Sequence, residues 1–215
     1  DESLNTGLAL REKMGSQGLF CNNKVADYIV GAMGAVTAEG DNEVLKIKTA
    51  KDLMMDMSTL DLLTIKPILF KYSFKSPESC LKIIKTDFES QITDVKRSLY
   101  LEKLKGKDFF KSYNNEVNRF IETGRIYGNY IALEAMLMKG HSNKTSVSKA
   151  QYRNLTHLIM LDYLKSRTAD LLTNNLISKK SVKGLHDLEN QLINKLAFNM
   201  NSIFEAIEAP TDIIS

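Results

Sequence analysis

The sequence predicts a mainly α fold, an elongated bundle of four long helices. An N-terminal appendage (residues 1–75) precedes the bundle (76–209), and a short tail (210–215) follows it. Three observations predict this. Apolar residues recur at intervals of about 3.6 from Leu81 onward, which marks one face of a helix. Helix start and stop residues punctuate that pattern at Ser76-Pro77, Gly106, Gly140 and Pro210. Composition is ordinary for a globular chain, with 43% hydrophobic and 26% charged residues. With 11 Gly and 3 Pro in 215 residues, collagen-like and Pro-rich readings are excluded.

The appendage begins with Leu4, Leu8 and Met14 on a short helix that breaks at Gly15–Gly18. A second helix starts near Lys24, capped by Asn22 or Asn23. Its Gly31, Ala32, Gly34 and Ala35 are small enough for another backbone to approach closely. Gly40-Asp41-Asn42 reads as a loop. Leu45 and Ile47 alternate with Lys46 and Lys48, as in a short strand. Ala50–Leu63 reads as a helix carrying Met54, Met55 and Met57. Ile68, Phe70, Tyr72 and Phe74 then alternate with Leu69, Lys71, Ser73 and Lys75 behind Pro67, the strongest period-2 signal in the chain. The two strands could pair as a small two-stranded ribbon, which is marginal alone and so must lean on the helices or on something outside the chain.

The bundle opens with a capped start: the Ser76 hydroxyl, the pre-set φ of Pro77 and the acid Glu78 at the positive end of the helix dipole. Leu81, Ile84, Phe88, Ile92, Val95 and Leu99 form its apolar stripe. The next helix carries Phe110, Tyr113, Val117, Phe120, Tyr127, Ile131 and Met138 close to a coiled-coil seam, with Gly124 and Gly128 one turn apart for a tight crossing. A third helix spans Ser148–Leu176, apolar around much of its circumference. A fourth covers Val182–Glu208 before Pro210. Connectors are short, so successive helices are antiparallel neighbours.

Charge and motifs argue against several activities. Lys plus Arg is 29 against 26 Asp plus Glu, a net +3 spread along the chain, so no nucleic-acid partner is expected. Gly140–Ser146 holds Lys144-Thr145 but lacks both phosphate-loop glycines: Asn143 and Met138 stand in their places. His141, His157 and His186 lie more than a helical turn apart, and HExxH is absent, so no metal is expected. No GxSxG elbow or catalytic Cys-His signature occurs. Asp87, Glu89, Asp94, Glu116 and Glu122 fall at surface-like helical positions. Glu134, among apolar neighbours, is the acid that stands out. No catalytic residue and no cofactor are predicted.

Cys21 and Cys80 fit no metal or CxxC spacing. They read as buried thiols or, in an exported chain, as a disulfide closing roughly 60 residues, worth about 4 kcal/mol in the chain-entropy model. The Asp-Glu start tips the expectation towards export, to a periplasmic or secreted location. The functional expectation is a non-enzymatic interaction or structural component of a bacterial envelope or secretion assembly. It would bind another protein or self-associate through Tyr28, Met33, Met54, Met55, Met57, Phe70, Tyr72 and Phe74. One alternative is a membrane-active protein that inserts 25–38 and 68–74 without spanning the bilayer. A second is an all-α enzyme with an interhelical pocket near Glu134 or His157.

Overall fold

The computed structural model describes residues 2–16, 24–38, 42–56, 72–140, 146–199, 201 and 203. Among these the fold is all helical, with no strand. Helices α1 (Glu2–Met14), α2 (Val25–Ala38) and α3 (Asn42–Asp56) precede the two longest, α4 (Pro77–Leu104) and α5 (Phe109–Gly140). Then come α6 (Ser146–Ser166), α7 (Thr168–Thr173), α8 (Lys179–Lys183) and α9 (Leu185–Ala197).

Helix α4 starts where the sequence places it. Ser76 is extended, and its Oγ accepts from the Ser79 amide at 3.2 Å, with Pro77 at the first helical position. The helix stops at Gly106, whose φ of +70° is a conformation that a Cβ disfavours. Asp108 Oδ1 then accepts from the Lys111 amide at 2.9 Å and caps α5. Helices α4 and α5 form an antiparallel pair, with α6 packed across both and α9 against α6. Ile83, Ile84, Ile126, Met160, Leu161, Leu164 and Leu171 are fully enclosed at their centre. Each such side chain contributes about 1.5–3 kcal/mol through removal from water.

The strand expected at Leu45–Ile47 is instead the second turn of α3. Lys46 pairs with Glu43 at 2.9 Å, one helical turn apart, and Ile47, Ala50 and Met54 form a helical stripe. Four residues of alternation fit the flank of that stripe as well as they fit a strand. The stripe meets Val95, Leu99, Tyr113 and Phe120 in a second core between α3, α4 and α5. Tyr72 and Phe74 are neither strand nor helix, and Ile68 and Phe70 lie outside the described residues.

The third predicted helix is broken at Arg167, whose amide bonds to the Leu164 carbonyl, three residues back. The short helix α7 follows, and the turn at 174–178 has Asn175 at φ +56°. The fourth is resolved into α8 and α9. Ser178 caps α8 through the Ser181 amide, and Leu185, Leu192 and Leu196 line the buried face of α9.

Gly124 packs against the main chain of α3. A Cβ there would strike the Lys46 carbonyl and lie 2.8 Å from Lys46 Cα. Gly31, Gly34 and Gly128 differ: among the described residues a Cβ at each would meet nothing within 4 Å.

Candidate functional site

The most concentrated chemistry lies where α6 breaks. Arg167 is 3% exposed, and its Nε donates to Asp87 Oδ2 at 2.7 Å. Its Nη1 donates to Glu122 Oε1, and Nη2 lies 3.5 Å from Asp170 Oδ2. Three helices thus converge on one guanidinium: α4 through Asp87, α5 through Glu122 and α7 through Asp170. Glu122 is also held by Arg125 through paired 2.9 Å bonds, which with Arg167 keep its carboxyl below the usual range. Burial pushes the Asp87 carboxyl above its ordinary value, with the guanidinium pulling the other way. Burial alone would lower Arg167, and the bond and charge of Asp87 overcome it. Burial pushes the neighbouring Tyr163 phenol up to about 12.

Asp87 and Glu122 are therefore not the surface acids the sequence predicts. Asp87 is fully buried on the same face as Ile83 and Ile84. Glu122 keeps about a third of its side chain exposed, and both acids hold Arg167 and so join helices.

A second convergence centres on the Phe74 carbonyl. His157 Nε2 donates to it at 2.7 Å, and Cys80 Sγ donates at 3.6 Å. Burial lowers the His157 pKa, and because a carbonyl only accepts, Nε2 carries a proton. Burial also pushes the Cys80 thiol up to about 12. Cys80 is a free thiol, and Cys21 lies outside the described residues. Beside these groups the Tyr72 amide donates to the Leu176 carbonyl at 3.3 Å, and Arg153 grips Glu78 with Nη1 and Nη2. The 72–78 segment is thereby fastened to α6 and to the turn after α7.

A cleft of about 260 Å³ opens between the end of α5 and the start of α6. Leu137, Gly140, Lys149, Ala150, Tyr152, Arg153 and Thr156 line it. Neither Glu134 nor His157 does. Glu134 instead accepts from the Tyr130 hydroxyl at 2.5 Å, one turn away on α5. No group of three or more potential metal ligands occurs among the described residues, and no described helix is long and apolar enough to cross a membrane.

The expected interaction residues divide. Phe74 is buried, and Tyr72 packs on the main core. Met54 packs on the second core. Tyr28, Met33 and Met55 are exposed, and Met57 and Phe70 lie outside the described residues.

Residues 76–215 match the family model described as acyl-CoA oxidase. No curated protein sequence matches the chain. Among solved structures, it is similar to acyl-CoA oxidase 3 of Yarrowia lipolytica (TM-score 0.84, 15% identity), over 98% of this chain and 32% of that one. It is similar to Arabidopsis thaliana acyl-CoA oxidase 1 (TM-score 0.81, 17% identity), over 98% of this chain and 34% of that one. A third is Caenorhabditis elegans acyl-CoA oxidase 1, solved with FAD and ATP (TM-score 0.77, 15% identity, 92% of this chain and 32% of that one). The chain spans about a third of the length of these structures.

Proposed function

Because the chain belongs to the acyl-CoA oxidase family, we propose that it is a helical part of an acyl-CoA oxidase, an enzyme that passes electrons from an acyl thioester to oxygen. The observation that supports this reading is the family match over 76–215, joined to the shared fold over nearly the whole chain.

The family finding corrects four expectations. The chain is not a non-enzymatic interaction or structural component, because its family is one of enzymes. Its long helices belong to the helical domain of an oxidase rather than to a structural coiled coil. The exported, periplasmic or secretion-assembly placement rested on the Asp-Glu start and gives way to the family's character. The membrane-active alternative falls with the function it was attached to. These expectations arose because this helical sequence carries none of the short local signatures of other enzyme classes, such as GxSxG or HExxH.

A flavin bound across a family member would supply the electron-accepting chemistry. The described residues do not form such a site by themselves. The 137–156 cleft is small for a dinucleotide, its wall is almost all carbon, and no glycine-rich phosphate cradle opens α6. In this proposal the described residues form scaffold. The Arg167 joint and the 72–78 anchorage hold α4, α5 and α6 as one block against which the remainder of an oxidase is placed. The start of the family match at residue 76 coincides with the capped start of α4, and the division of the chain there stands as part of the proposal.

Purification of the longer polypeptide carrying this segment tests the reading. The expected result is a flavin-coloured protein that consumes oxygen and releases hydrogen peroxide on addition of acyl-CoA. The 215-residue chain alone should fold and be inert. A colourless full polypeptide with no acyl-CoA-dependent peroxide would overturn it.

A further inference from the structure

We draw no further inference here: the strongest candidate, the exposed apolar patch of Leu104, Phe109 and Phe110 at the tip of the α4–α5 pair, is a surface of a chain that spans about a third of the length of the structures it resembles, and nothing in the structure shows what covers it.

Discussion

Replacing Arg167 by Met removes the group on which α4, α5 and α7 converge while keeping most of its volume. Asp87 is left with no partner in a fully buried position, and Glu122 retains Arg125. Breaking a buried pair from one side costs about 3–5 kcal/mol, because the remaining charge is uncompensated. For a domain of this size each kcal/mol moves Tm by about 2–4 °C, so the variant should melt roughly 6–20 °C lower. The pH dependence carries a sign. A carboxyl whose folded pKa lies above its unfolded value favours the folded state below that value, 3.8 here, and loses this as pH rises through the folded pKa. Removing the guanidinium raises the folded value of Asp87 further. The deficit of Arg167→Met should therefore be smallest near pH 4 and widen towards neutrality. The double variant Asp87→Leu, Arg167→Met removes both charges and should recover most of the loss. Urea unfolding of the three proteins across this pH range decides the matter. A single variant within 1 kcal/mol of wild type, or a deficit that deepens on acidification, refutes the account of Arg167 as the joint of the bundle.

Three further outcomes follow from the same geometry. Gly124→Ala should cost about 1–3 kcal/mol by overpacking and should speed hydrogen exchange in α3 before α4, whereas wild-type stability in that variant would contradict the close approach. His157 has a folded pKa below its ordinary 6.5, so its contribution is complete above that value and is lost as pH falls from it towards the folded pKa; His157→Gln should flatten that part of the stability profile measured by thermal melts. The Cys80 thiol, held near a pKa of about 12 and fully enclosed, should resist a thiol reagent in folded protein and react at once in urea, and rapid modification without denaturant would show that its burial is wrong.

Much of the architecture was legible because helical periodicity is a local property. Ser76, Pro77 and Glu78 announce α4 by chemistry that needs no tertiary partner, and Ile84, Phe88, Ile92 and Val95 announce its buried side. The failures share a cause: each depended on something distant along the chain. Asp87 and Arg167 are 80 residues apart, and each alone resembles a surface charge. A signal was present in Asp87, which sits one turn from Ile83 and Ile84, and in Arg167, three residues after Leu164 and four before Leu171. A charge in the centre of an apolar stripe on each of two helices asks for a partner of opposite sign. The strand expected at Leu45–Ile47 failed for a different reason, because so short an alternation does not distinguish a pleat from the edge of a helical stripe. The described residues that converge hold helices together, and such contacts leave no short motif in the sequence.

The contact between Gly124 and α3 is lopsided. On one side it demands the absence of a side chain; on the other the nearest atoms are the carbonyl and Cα of Lys46, which every amino acid possesses. Position 46 meets the glycine through its backbone, and its side chain is engaged elsewhere with Glu43, while any side chain at position 124 must displace that backbone. A library randomised at both sites should return glycine predominantly at 124 and a wider set, without proline, at 46, although the two are equal partners in the same touching pair.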